Sequence, residues 1–248
     1  MTRPAWHNVA IVTGAAGGLG RVISNRLAAD GFRVLVTDID GEAAARAAEG
    51  LPGDVASFAI DVRAPSAFEA AFAAASARWG GVGILVNNAA LTRTTPLFDI
   101  SPEEFDAVTA AALKGSFIGC QVAGRYMRAQ RYGRIINIAS LAGQNGGSAT
   151  GAHYAAAKGG ILTLTKVFAR ELAADGVTVN AISPGPLDLD SVRELLPPEK
   201  LAAVVGTIPA GTLGDPDYVA RLVSLIAAPE AVSAIGATFD INGGLYLR

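Results

Sequence analysis

The chain has one cysteine, Cys120, and only two histidines, His7 and His153. A single thiol cannot close an internal disulfide, and with two distant imidazoles it offers no metal site of the Cys/His type. Cys120 sits in the apolar stretch from Phe117 to Val122, where a thiol reads as inert packing rather than as a nucleophile. Charge is also sparse. Charged residues make up 17% of the chain, the formal net charge is −2, and no Lys/Arg cluster occurs. This speaks against a nucleic-acid partner or an anionic membrane surface. No uninterrupted apolar run reaches the ~20 residues that a membrane-spanning helix needs. The segment from Met1 to Asn8 holds one Arg and no apolar core, unlike a secretory leader. A cytoplasmic location is therefore expected. No Pro/Ser-rich linker, charge block or fixed-period repeat divides the chain.

What is abundant is apolar surface, 51% of 248 residues, enough for one large core. A single domain over residues 1–248 is expected, with some of the burial available for contacts between subunits. Short β-branched runs (Val9–Thr13, Arg33–Asp38, Ser57–Asp61, Ile84–Asn87, Arg134–Ser140, Val177–Ser183, Ala237–Asn242) alternate with Ala-rich helical segments. The helical segments are Gly20–Asp30, Pro65–Trp79, Pro102–Ala129, Ala155–Asp175 and Asp217–Ala227. The runs are too uniformly apolar for strands with one wet face, so they predict a parallel sheet covered on both sides. Repeated strand–helix–strand units imply right-handed crossovers and a doubly wound α/β fold of the Rossmann type. Ligands of such sheets bind beyond the carboxyl ends of the strands. The stretch 187–214 breaks the alternation and reads as a lid over a substrate pocket, or as a plain surface connection.

Thr13-Gly14-Ala15-Ala16-Gly17-Gly18-Leu19-Gly20 follows the first strand and opens the first helix. Glycines there allow a tight turn, close backbone approach to a pyrophosphate, and a helix N-terminus that holds its charge. Glycines also serve ordinary turns; placement at the first strand–helix junction favours the dinucleotide reading. Asp38 ends the second strand about 20 residues later, where a carboxylate accepts hydrogen bonds from an adenosine ribose, although a helix-capping Asp stands at such a place too. A 2′-phosphate at ~4 Å from it would be repelled by on the order of 4 kcal/mol per unit charge at an effective dielectric near 20. With Ile39 after Asp38 and no Arg or Lys between Gly14 and Gly20, NAD is favoured over NADP. Tyr154 and Lys158 are four residues apart and share a helix face. A neighbouring ammonium is expected to lower the phenol from its usual pKa of about 10. Ser140, at the end of an apolar strand, supplies a hydroxyl for a substrate oxygen, or is a turn serine.

Together these pieces resemble the short-chain dehydrogenase/reductase family over nearly the whole chain. The matching segments are Thr13–Gly20, Asp61-Val62, Asn87-Asn88-Ala89-Ala90, Gly133–Ser140, Tyr154–Lys158, Val179–Gly185 and Asn242-Gly243-Gly244. The resemblance implies a seven-stranded sheet and usually a homotetramer. It implies that Tyr154 is the acid/base, that Lys158 binds the nicotinamide ribose and that Ser140 orients the substrate. By the same resemblance Gly14, Gly18, Leu19, Gly20 and Asp38 bind the cofactor, Asp61 and Val62 meet adenine, Asn87 supports the site, and Pro184 and Gly185 line the nicotinamide. Two positions depart from the family. Ala112 stands where an Asn usually holds a water that connects the lysine to solvent, and Leu189 stands where a Thr often bonds the carboxamide. The leading expectation is an NAD-dependent dehydrogenase of a small secondary alcohol. A 3-oxoacyl-carrier-protein reductase ranks second. Those reductases often prefer NADP, and many carry basic residues near Arg131 and Asp175, where Asp175 has the wrong sign. A non-catalytic dinucleotide sensor is the third reading. No metal is expected.

Overall fold

The computed structural model describes residues 4–147, 150–195 and 198–247. Its first half repeats one unit. Strand β1 (Val9–Thr13) leads to helix α1 (Gly18–Ala29), β2 (Arg33–Asp38) to α2 (Gly41–Glu49), and β3 (Val55–Ala59) to α3 (Pro65–Trp79). Strand β4 (Ile84–Asn87) is followed by α4 (Pro102–Thr109), a five-residue π turn (Ala110–Lys114) and α5 (Gly115–Gln130). Next come β5 (Gly133–Ile138), the short α6 (Ala142–Asn145), α7 (Ala152–Leu172) and β6 (Val177–Pro184). Helices α8 (Asp190–Leu195), α9 (Pro198–Thr207) and α10 (Pro216–Ala227) precede the last strand, β7 (Thr238–Ile241).

Local chemistry sets many of these limits. Proline occupies the first turn of α3, where its missing N–H costs nothing, and Gly80 closes that helix at φ 84°. The Asp40 carboxylate accepts the N–H groups of Glu42 and Ala43 at 3.0 Å each and so starts α2. This helix escaped the sequence reading because its nine residues are mostly alanine and carry little apolar contrast. The third strand runs two residues earlier than expected, so Asp61 lies beyond it. The long helix expected over Pro102–Ala129 is interrupted by the π turn.

All seven strands are parallel, in the order β3-β2-β1-β4-β5-β6-β7. The strands are apolar on both faces, as expected. Ala10, Val12, Val34 and Val86 face one cluster with α1, α2 and α10, while Val9, Ile11, Leu35 and Leu85 face another with α3, α5 and α7. Chain direction across the sheet reverses at β1, which pairs with β2 on one side and β4 on the other. A crevice opens there, beyond the carboxyl ends of the strands. The stretch 187–214 holds α8 and α9, and its ends are pinned by a parallel bridge between Leu187 and Gly214. Among the described residues, no helix is long and apolar enough to cross a membrane.

Phe68 of α3 is fully buried in the second cluster. Phe68→Ala should cost about 3–5 kcal/mol, the usual range for emptying such a site. The urea unfolding midpoint measures this, and a loss below about 1 kcal/mol would mean that the α3 face is not packed as described.

Candidate active site

The crevice begins where β1 ends. Gly14 turns the chain at φ 62°, and a Cβ there would lie 2.8 Å from the Ala89 Cα. Only glycine meets both demands. Gly18 opens α1 at φ 51°. A Cβ on Gly20 would collide with the Gly14 carbonyl and sit 2.6 Å from the Asn88 amide nitrogen, so Gly20 is a packing glycine behind the turn. Asn88 holds the turn in place, donating to the carbonyls of Thr13 and Gly14 at 3.0 Å each. The Thr13 hydroxyl accepts the N–H groups of Asn88 and Ala89. In the sequence Asn88 stands out only as part of the segment Asn87-Asn88-Ala89-Ala90. Its position straight after a strand was the available signal.

Asp38 reaches back to this turn. One carboxylate oxygen accepts the Ala16 N–H at 3.2 Å, and the side chain faces the crevice beside the exposed Ile39. Asp61 is gripped by Arg63 through contacts of 2.7 to 3.1 Å. That guanidinium, despite the opposing cost of burial, holds the Asp61 carboxyl below the usual carboxylate range. Arg63 also lines the crevice and was not foreseen, because it lies beyond β3 and far in sequence from Asp38.

Ser140 follows β5, and its hydroxyl oxygen accepts the Ala142 N–H at 3.1 Å, which fixes its side chain. Tyr154 lies in the first turn of α7 and Lys158 one turn later. The Lys158 Nζ donates to the Ile138 carbonyl at 2.6 Å and lies 5.5 Å from the Tyr154 ring centroid. The Tyr154 phenol is hydrogen-bonded to Ser140 and Thr92. Burial pushes this phenol above its ordinary value, against the opposing effect of those two hydroxyls. Burial also pulls Lys158 down to about 8. The expected lowering of the tyrosine by the lysine is therefore outweighed: the ammonium points at a backbone carbonyl, and desolvation of the phenolate dominates. At neutral pH the phenol carries its proton and the lysine is mostly charged.

A single cavity of about 980 Å³ gathers Gly14, Gly18, Leu19, Asp38, Asp61, Val62, Ser140, Tyr154, Lys158, Pro184 and Gly185. Leu189 and Thr92 also line it. Asn87 lies beneath, buried, donating to the Asn137 side chain at 2.9 Å and touching Cys120. Burial raises the Cys120 thiol to about 12, so it is not a nucleophile at neutral pH. Ala112 is fully buried and its carbonyl accepts the Ser116 hydroxyl at 2.8 Å. His153 is also fully buried, with both ring nitrogens hydrogen-bonded. Among the described residues, no group of three His, Cys, Asp or Glu side chains is placed to hold a metal ion. A glycine cradle without room for a Cβ, a helix N-terminus and a facing carboxylate suit a dinucleotide.

Residues 14–246 match the family described as Enoyl-(Acyl carrier protein) reductase. The 3-oxoacyl-[acyl-carrier-protein] reductase FabG of Vibrio cholerae is 39% identical over 239 residues, 96% of this chain and 97% of that one. The chain belongs to the short-chain dehydrogenase/reductase family. FabG of Escherichia coli is 36% identical over 241 residues, covering 96% and 97% of the two chains. The acetoacetyl-CoA reductase of Shinella zoogloeoides is 38% identical over 240 residues, covering 96% and 98%. Membership makes the protein an oxidoreductase of a family that binds a nicotinamide cofactor.

Lys158 carries a cost to the fold. With a value near 8 in the folded chain and about 10.4 in the unfolded one, the folded state binds its proton less well. Unfolding is favoured by roughly 3 kcal/mol below pH 8, and this penalty fades as pH rises towards 10. Lys158→Met should therefore raise unfolding stability at pH 7, by about 1–3 kcal/mol after loss of the Ile138 bond. The gain should shrink at pH 10. Urea titrations of both proteins at the two pH values read it directly, and a less stable variant at pH 7 would contradict the burial argument.

Proposed function

We propose that the protein is an NAD(H)-linked oxidoreductase that interconverts a 3-oxoacyl thioester and its 3-hydroxyacyl form. The observation that carries the chemistry is the Tyr154 phenol, protonated and hydrogen-bonded to Ser140 on the cavity floor, with the Lys158 ammonium over its ring. When bound, the dinucleotide supplies or accepts the hydride. In reduction, Tyr154 donates its proton to the substrate oxygen while the Ser140 hydroxyl holds that oxygen in place. Lys158 offsets negative charge as it forms on the phenol. Burial keeps the phenol protonated at neutral pH, the form that reduction uses; oxidation uses the phenolate, so its rate should rise with pH.

For substrate class, the names of the relatives speak for a 3-oxoacyl thioester rather than for the small secondary alcohol that led the sequence reading. The cavity suits an acyl chain: Leu141, Leu187, Leu189, Val192, Val204 and Leu245 line it. A thioester of a small carrier such as coenzyme A fits better than one on an acidic carrier protein. Asp175 engages Arg131 at 2.8 Å and Arg128 at 2.6 Å, and Glu171 takes a second nitrogen of Arg128. Each cation of that patch is matched by an acid, which leaves little attraction for an anionic partner.

NAD is supported by Asp38, whose carboxylate is fixed against the glycine turn. Arg63, the one cation beside it among the cavity residues apart from Lys158, is committed to Asp61. Asp38→Ala should raise kcat/KM with NADPH relative to NADH, since it removes both the ribose acceptor and the charge that repels a 2′-phosphate. A wild-type enzyme that works better with NADPH would overturn the cofactor assignment.

The central test is acetoacetyl-CoA reduction with NADH, comparing wild type with Tyr154→Phe. Loss of the proton donor should lower kcat by about 10²–10⁴-fold with little change in NADH binding. A variant that keeps more than about a tenth of the activity would remove Tyr154 from the role of acid.

A further inference from the structure

The first turn of α7, which carries Tyr154, starts without a capping side chain, because its N-cap is Gly151. The space beside Gly151 is filled by the His153 ring instead; a Cβ on Gly151 would lie 2.6 Å from the His153 Nδ1. That Nδ1 accepts the backbone N–H of Tyr154 at 2.9 Å, a donor shared with the Gly151 carbonyl at 3.1 Å. An imidazole nitrogen that accepts carries no proton, so the ring proton resides on Nε2. Nε2 lies 2.8 Å from a carboxylate oxygen of Glu104, and the imidazole is fully buried. One ring thus joins the backbone of the catalytic tyrosine to a carboxylate 49 positions away in sequence.

Glu104 is itself held from two sides. Its N–H is accepted by the Ser101 hydroxyl at 3.1 Å, the N-cap of α4. Its carboxylate is hydrogen-bonded to Thr95 and His153 and lies in the field of Arg93, and these partners, Thr95 first, hold it below the ordinary carboxylate range. Thr95 and Arg93 belong to the segment after β4 that also supplies Leu91 and Thr92 to the cavity wall. The same segment is tied to α7 again where the Gly151 N–H donates to the Arg93 carbonyl at 3.0 Å. Thr92 then meets the Tyr154 phenol.

We infer that His153 is a positioning residue: through its Nε2–H bond to Glu104 it locks the start of α7 to the Leu91–Thr95 wall, so that the Tyr154 hydroxyl stays in register with Thr92 and Ser140. The inference rests on the reading of Tyr154 as the proton donor, but the clamp itself is a matter of geometry. A phenol displaced by a fraction of an ångström still binds its neighbours poorly and transfers its proton slowly, while the dinucleotide cradle at Gly14–Gly20 is untouched. The clamp should therefore appear in kcat and not in cofactor binding.

Three variants and one spectrum test it. His153→Asn keeps a local acceptor for the Tyr154 N–H but is too short to reach Glu104. Glu104→Ala removes the carboxylate, and Glu104→Gln keeps an oxygen that accepts the Nε2–H. With NADH and acetoacetyl-CoA, His153→Asn and Glu104→Ala should each lower kcat on the order of tenfold at unchanged KM for NADH. The double variant should be no slower than either single one, because both cut the same contact. Glu104→Gln should recover most of the rate. Nitrogen-15 NMR of the imidazole should show the proton on Nε2. Unchanged kcat in correctly folded single variants, additive losses, or a proton on Nδ1 would each overturn the clamp. A wild-type protein without turnover would instead count against the proposed function. The clamp is then judged by ultraviolet titration of the Tyr154 phenol against Tyr154→Phe: a titration moved by Glu104→Ala supports it, and an unmoved one refutes it.

Discussion

Strand β1 is hydrogen-bonded to β2 along one edge and to β4 along the other, and the site hangs on this double pairing. Parallel strands require crossovers of fixed hand, so a chain that winds outward in both directions from β1 must leave a gap between the two sets of connecting segments. Gly14 and Ala89, which lie beyond β1 and β4, meet at that gap with Asp38, the last residue of β2. The close approach of Gly14 to the Ala89 backbone measures how tightly the gap is drawn, since no side-chain carbon fits between them. The Thr13 hydroxyl and the Asn88 amide use the same gap to bond across from β1 to β4. The cradle for a ligand is thus also the joint of the sheet.

Two groups that resist ionisation lie within the same cavity. Burial favours a neutral phenol at Tyr154 and a neutral amine at Lys158, so the first tends to keep its proton and the second to lose it. Each makes the other tolerable. Negative charge on the phenol is eased by the ammonium over its ring, and the ammonium keeps a strong acceptor in the Ile138 carbonyl. The fold bears a cost here that an apolar residue would avoid, which is the usual relation between a working site and a stable core.

Much of this was legible in the sequence because its signals are local. The limits of β1, β2, β4 and α3 follow from apolar runs bounded by glycine, proline and polar residues. The glycine turn, Asp38, Ser140, Tyr154 and Lys158 sit at strand ends or at helical spacing, where pattern carries meaning. What escaped depends on contacts between segments distant in sequence. Arg63 reaches the cavity only because β3 lies beside β2. Thr92 matters only because its loop folds against α7. His153 gives no sign of its contact in the sequence, since nothing near it announces Glu104. The direction of the tyrosine shift was misjudged for the same reason: spacing on a helix shows that Lys158 is near, but not that a carbonyl from β5 holds its head while burial acts on the phenol.

Ala112 is best understood from the helix in which it stands. Ala112 is the middle residue of the π turn Ala110–Lys114, and the packing around that turn is close. A Cβ on Gly115 would lie 2.9 Å from Val62, and the Ser116 hydroxyl takes the Ala112 carbonyl, so the extra residue of the turn lets α5 pass close to the cavity floor. Its chemistry is another matter, because a methyl group at 112 holds no water for Lys158. The phenol nevertheless has a polar connection outward. Thr92 is an exposed residue whose hydroxyl is bonded to Tyr154, and a hydroxyl both accepts and donates. The loop that carries Thr92 also bonds Glu104 through Thr95 and α7 through the Gly151 N–H, so the partner of the phenol is itself tied at two points.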